Sequence, residues 1–230
     1  MKKSGYVLLI FFWLALLADC ILILNGLDVY RIFTKTLLVP LILITIFLES
    51  GDTKHTHSKI LVTLAFFFCY MGDLMLLYDT DATNFIIGLS CFLTAHLLFI
   101  IFFYRLKPFS VGQATFIFVT GFLILGYVLA LLFTVWVNVN RQALEIPVTL
   151  YALVLGFMLL CAMLTVKNKS IKRLALNYFI PGALFFVLSD SVLAVNKFFV
   201  VLSYGSIVVM VTYASAIFLL ANGAIKFLKK

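Results

Sequence analysis

Along the chain, long apolar stretches alternate with short polar connectors. Eight such stretches run near residues 5–24, 32–48, 60–78, 85–103, 115–137, 146–166, 175–196 and 198–223. A helix of about 20 apolar residues crosses a hydrocarbon core about 30 Å thick, so each stretch predicts a transmembrane helix. Connectors such as 49–59 and 167–173 leave no room for a water-soluble domain. The pattern therefore predicts an all-α polytopic membrane protein: one integral membrane domain over residues 1–230 with eight transmembrane helices. Lys2 and Lys3 precede the first apolar run as they would in a secretion signal, but that run continues through Leu24. Asp19 also stands where a lipoprotein cleavage site ahead of Cys20 would need a small residue, so the first helix is expected to stay uncleaved.

Composition agrees with this reading. Of the 230 residues 65% are hydrophobic and only 11% charged, with a mean hydropathy of +1.21. A soluble fold of this size cannot hide that much apolar surface, which excludes a water-soluble enzyme, a disulfide scaffold and a disordered regulator. The net charge of +8 does not mark a nucleic-acid binder, because no basic stripe lies on a polar face. It follows the positive-inside rule instead. With the N-terminus cytoplasmic, only Arg31, Lys35, Arg141 and Lys197 of the 17 basic residues fall outside. Eight spans with both termini cytoplasmic give this partition, and the expected location is a bacterial inner (cell) membrane. Cys20, Cys69, Cys91 and Cys161 all lie within apolar runs without metal or redox spacing and read as packing residues.

An internal echo occurs at an offset of 117 residues, where Asp73 maps onto Asp190, Gly88 onto Gly205 and His96 onto Tyr213. Two parallel four-helix repeats about an axis along the membrane normal are one reading of it, and coincidence is the other.

Ionisable residues inside a bilayer are costly, by at least about 2.5 kcal/mol for Asp or Lys on insertion scales, and mark functional sites by default. Asp73 lies about 13 residues into the third stretch and Asp190 about 15 into the seventh. At about 1.5 Å per residue they reach similar depth, in the outer half, where they can face one cavity. Gly182, Phe186, Ser189 and Leu193 share a helix face beside Asp190, and small residues there permit close helix approach. Pro181 lacks the N–H that would bond back to Asn177, which predicts a kink or widening. The alternative for each acid is structural glue between helices. His96 falls near mid-membrane and reads as either a structural donor or a site residue. Lys35, ahead of Pro40, either snorkels to the interface or reaches into the cavity towards a phosphate or an aspartate. Tyr151 and Tyr213 read as packing or interfacial residues, and Asp19 is an unplaced acid near the same depth. A zinc site needs three His or carboxylate ligands, but His55 and His57 sit in a connector far from His96. Neither a metal nor another cofactor is expected, and no GxSxG, P-loop or GxGxxG motif is present.

Taken in order, Lys35 with Pro40, Gly72-Asp73, Gly88 through His96, Pro147 with Tyr151, Gly182-Ala183-Leu184-Phe185 followed by Ser189-Asp190, and Tyr213 resemble the YhhN family of membrane lysoplasmalogenases. The resemblance covers nearly the whole chain. One departure is Ile217, where the family often carries a glutamine soon after the tyrosine. The resemblance implies hydrolysis of the vinyl-ether bond of a lysoplasmalogen to a fatty aldehyde and a glycerophospho-base. It implies Asp73 and Asp190 as the acid/base pair, with Lys35, His96, Tyr151 and Tyr213 binding substrate, Lys35 and His96 at the lipid phosphate. Two carboxyls suit this chemistry, as they suit the related cation of glycoside hydrolysis. The implied partners are a lysophospholipid with a vinyl-ether chain and the lipid bilayer. A proton-coupled small-molecule or lipid transporter would use the same intramembrane aspartates, and a non-catalytic membrane scaffold would use them as glue.

Overall fold

The computed structural model describes residues 3–51, 53–77, 82–106, 114–141 and 144–230. Eight helices long and apolar enough to cross a membrane make up the fold, with no strand among the described residues. They are α1 (Lys3–Leu24), α2 (Arg31–Ser50), α3 (Thr56–Leu77), α4 (Ala82–Leu106), α5 (Ala114–Arg141), α6 (Glu145–Leu164), α7 (Lys172–Phe198) and α8 (Gly205–Leu228). Large apolar side chains point outward along them, with Phe33 73% and Phe133 85% exposed. A water-soluble surface rarely carries such patches, whereas lipid tails solvate them. The protein is an integral membrane protein. Tyr78 at the end of the third predicted span, the acidic connector residues Asp79 and Asp81, and the basic residues Lys2 and Lys107 lie outside the described residues.

Helices adjacent in sequence pack as hairpins, α1 with α2, α3 with α4, α5 with α6 and α7 with α8. Helix α8 is central, touching α1, α2, α3 and α7, whereas α5 leans only on α6 and α7 among the described residues. Where α7 meets α8, a Cβ on Gly182 would come within 2.9 Å of the Leu220 side chain and 3.2 Å of its backbone N. The small residue in the seventh span thus permits the backbone approach its position predicts.

Two local departures from regular helix shape the bundle. The entry of α7 is a π-helical turn over Ala175–Phe179 immediately before Pro181, which is the widening expected from the missing proline N–H. The eighth span begins later than its hydropathy predicts. Residues 199–204 form an apolar turn, and helix starts only at Gly205. Asn196 Oδ1 accepts a hydrogen bond from the Leu202 N–H at 2.8 Å, holding this turn. A Cβ at Gly205 would stand 2.6 Å from that same Oδ1. Hydropathy cannot distinguish an apolar turn from the helix that follows it; the asparagine and the glycine make the difference.

The end of the bundle at which α1 and α7 finish and α2 and α8 begin holds a polar cavity. Beneath it, away from this end, Phe66, Phe99, Phe102, Phe103 and Phe179 are at most 1% exposed and pack ring against ring. The far end is tied by an ion pair from Lys229 Nζ to the buried Glu49 carboxylate and by Thr53 Oγ1, which donates to the Leu228 carbonyl at 2.7 Å.

Candidate active site

The cavity has a volume of about 180 Å³. Helix α2 contributes Arg31 and Lys35, α3 contributes Asp73, α7 contributes Ser189, Asp190 and Asn196, and α8 contributes Ser206 and Tyr213. Asp73 lies about one turn from the end of α3 and Asp190 about two turns from the end of α7, so both sit in the same half of the bundle. The two aspartates singled out by hydropathy therefore line one cavity. Leu76, Phe92, Asp190 and Leu193 also line an adjoining slot of about 50 Å³, which continues past Tyr151 to Phe85, Leu89, Val148 and Phe198. The cavity thus has a polar end under α2 and a mainly apolar slot beside α6, which Lys197 also lines.

Each carboxyl has its own tyrosine. Tyr213 Oη donates to Asp73 Oδ2 at 2.7 Å, and Lys35 Nζ stands 3.8 Å from Asp73 Oδ1. Tyr151 Oη donates to Asp190 Oδ2 at 2.5 Å, and His96 Nε2 lies 3.0 Å from the same phenol oxygen and 3.5 Å from Asp190 Oδ2. The Phe186 ring, fully buried, meets the His96 ring at 4.7 Å and the Tyr213 ring at 5.5 Å, both edge to face. Phe186 therefore packs against one member of each cluster and fixes both.

Of the predicted site residues, Asp73, Asp190, Lys35 and Tyr213 line the cavity and Tyr151 lines the apolar slot. His96 is placed differently. It is fully buried and stands behind Tyr151 and Asp190, lining neither space, so a direct contact with a lipid phosphate does not fit its position. Its Nδ1 has no hydrogen-bond partner among the described residues. Ile217, the departure from the family pattern, is buried in the helix core and lines neither space. Asp19 finds its place beside the site: Arg31 Nε and Nη2 donate to its two oxygens at 3.3 and 3.4 Å, and Thr34 Oγ1 donates to Oδ1 at 2.7 Å.

Ser189 lines the cavity from the helix face predicted beside Asp190, whereas Arg31, Asn196 and Ser206 are cavity residues that the sequence pattern does not single out. Arg31 carried a usable signal, since it lies four positions before Lys35 and so one helical turn away on the same face. Asn196 and Ser206 carried none, because a serine or asparagine near a helix end is ordinary.

The arrangement can move protons. With Asp190 ionised, Tyr151 donates to it and His96 Nε2–H donates to Tyr151. When Tyr151 passes its proton to Asp190 and takes the Nε2 proton of a doubly protonated His96, the phenol points its hydrogen back to a neutral His96 and accepts from the carboxyl. Both states use the same heavy-atom positions, so Asp190, Tyr151 and His96 form a relay. Asp73 has a fixed cation and a phenol instead. Among the described residues no group of three His, Cys, Asp or Glu side chains is placed to hold a metal ion.

Comparison with known proteins returns one assignment. A search of curated proteins and a search of solved structures give no match to the chain. A family model for YhhN matches residues 30–224, most of the chain and every residue lining the cavity. That family is broadly associated with lysoplasmalogenase activity. By the extent of this match, the chain belongs to the YhhN family.

Proposed function

We propose that the protein hydrolyses the vinyl-ether bond of a lysoplasmalogen, releasing a fatty aldehyde and a glycerophospho-base. The observation that carries this reading is the pair of aspartates on one small cavity, Asp73 buried and Asp190 partly buried, each held by a tyrosine, between a cationic end and a mainly apolar slot.

A vinyl ether is cleaved by adding a proton to the carbon β to its oxygen. The positive charge that forms is an oxocarbenium ion on the carbon bound to oxygen. Water adds to that carbon and gives up a proton, and the resulting hemiacetal loses its hydroxyl proton as the glycerol oxygen gains one. The products are the aldehyde and the free glycerol hydroxyl, with one water consumed. One carboxyl supplies the first proton, and the other accepts the proton of water and steadies the cation. The relay behind Asp190 lets that carboxyl share a proton with the buried His96. Lys35 serves the lipid phosphate, and Tyr151 and Tyr213 fix the carboxyl orientations. His96 acts behind Asp190 and not on the phosphate.

The closed aromatic layer beneath the acids favours a one-ended pocket over a transport path. The mouth lies opposite the N-terminal end of α1, so with a cytoplasmic N-terminus the lysolipid head enters from the outer leaflet while its chain stays among the helices. The test is aldehyde release by detergent-purified protein given a lysoplasmalogen, beside the acyl lysophospholipid of the same head group. Aldehyde from the vinyl ether, with no fatty acid from the ester, is the expected result. No turnover by folded protein, with proton flux in vesicles, would replace this reading with a carrier.

A further inference from the structure

The two ends of the cavity differ in a way that fixes the direction of an amphiphile within it. At the α6 end, Leu89, Val148, Ala194 and Phe198 offer apolar surface, and Lys197, which also lines it, sits with its Nζ 4.2 Å from the centroid of the Phe85 ring. At the α2 end stand two cations one turn apart, Arg31 and Lys35, whose side chains are 15% and 11% exposed. Lys35 already faces Asp73. Arg31 is held from behind by Asp19, which is fully buried and does not itself line the cavity. Both Asp19 oxygens receive Arg31 N–H groups, and Thr34 donates to one of them. A guanidinium has five N–H donors in a fixed fork. Its remaining contact to a carboxylate is to Asp28, at 3.4 Å and 73% exposed, so these contacts do not exhaust the fork. A buried acid placed behind an arginine in this manner locks the plane of the fork, and a locked fork suits the paired oxygens of a phosphate.

We propose that Arg31 and Lys35 together bind the phosphate of a single-chain phospholipid, and that Asp19 is the positioning residue that holds Arg31 towards the cavity. The proposal rests on the lysolipid reading above and extends it to the head-group end. It makes a prediction about Asp19 whose sign is unusual. If Asp19 acted only through its charge, Asp19→Asn would remove a negative charge near an anion site and tighten binding. As a positioning residue, its loss frees the guanidinium and weakens binding.

Binding, without turnover, is the test, so that the outcome does not depend on the vinyl-ether reaction. Full-length protein in detergent is titrated with an acyl lysophosphatidylethanolamine, with the monoacylglycerol of the same chain, and with glycerophosphoethanolamine. The wild type is expected to bind the lysophospholipid at least about 10-fold more tightly than the monoacylglycerol, as expected for charge-assisted hydrogen bonds. Arg31→Ala and Lys35→Ala should each remove most of that preference, and Asp19→Asn should reduce it. Arg31→Lys keeps a cation beside Asp19, and so keeps the fold if the alanine variant does not, yet should still lose preference because it lacks the fork. Equal affinity for both lipids, an Arg31→Lys protein that binds like the wild type, or tighter binding by Asp19→Asn would overturn the proposal. Glycerophosphoethanolamine binding as tightly as the lysolipid would overturn the lipid as ligand. Phosphate-dependent binding with no aldehyde release would leave this site standing and remove the proposed reaction.

Discussion

Asp73 on α3 accepts from Tyr213 on α8 and faces the ammonium of Lys35, whereas Asp190 on α7 accepts from Tyr151 on α6 and has the imidazole of His96 behind it. The two acids are 117 residues apart, and so are His96 and Tyr213. Each member of that second pair stands beside the aspartate of the other half of the chain. The same offset carries Leu76 onto Leu193, both of which line the cavity and the slot. It also carries Arg31 onto Val148 and Lys35 onto Ala152, and there the likeness ends. Those two positions are cations in the first half and apolar in the second, where the slot's cation is Lys197 instead. The two acids thus stand in different surroundings, cations on one side and mainly apolar side chains on the other.

The difference can be broken or sharpened by substitution. Phe186→Ala removes the ring that packs against both clusters, and a fully buried phenylalanine truncated to alanine costs about 3–5 kcal/mol. Thermal unfolding in detergent should fall accordingly, with activity lost from both acids together. The two tyrosines then separate the clusters. Tyr151→Phe cuts the relay and takes a hydrogen bond from Asp190, and about 1.5–3 kcal/mol, or about 10- to 100-fold in kcat/KM, is the expected loss. It should also change the shape of the pH–rate profile, because the proton route to His96 is gone. Tyr213→Phe removes the same hydroxyl from Asp73, where Lys35 remains as partner. Its loss should be smaller, about 0.5–1.5 kcal/mol, with the profile unchanged in shape. Equal effects of the two phenylalanines would mean that the clusters are interchangeable. The smallest effect belongs to Asp28→Asn, since the exposed pair it makes with Arg31 is worth less than about 1 kcal/mol; affinity for a lysophospholipid should be unchanged, in contrast to Asp19→Asn.

Much of this was legible along the chain for physical reasons. Asp73 and Asp190 stood out because a carboxyl in an apolar stretch has a large cost that only a partner or a task offsets. Lys35 was visible as a cation inside a span, and the π-helical turn ahead of Pro181 followed from a missing donor. Tyr151 and Tyr213 were visible as residues but not as partners, because their acids lie on helices distant in sequence. Arg31 escaped notice because it precedes the apolar run and so counted as connector charge. His96 was seen at the right depth, but depth does not say which way an imidazole faces. The turn at 199–204 was hidden because its side chains are as apolar as the helix beyond it.

The most direct test of the account is aldehyde release from a lysoplasmalogen by Asp73→Asn and Asp190→Asn, each checked for folding by its unfolding temperature. Asparagine keeps the shape of the side chain and removes its proton chemistry, and a positioned acid or base contributes about 10²- to 10⁴-fold. The account predicts a loss of that size in both variants with the fold retained. Wild-type turnover in either folded variant would contradict the two-carboxylate site.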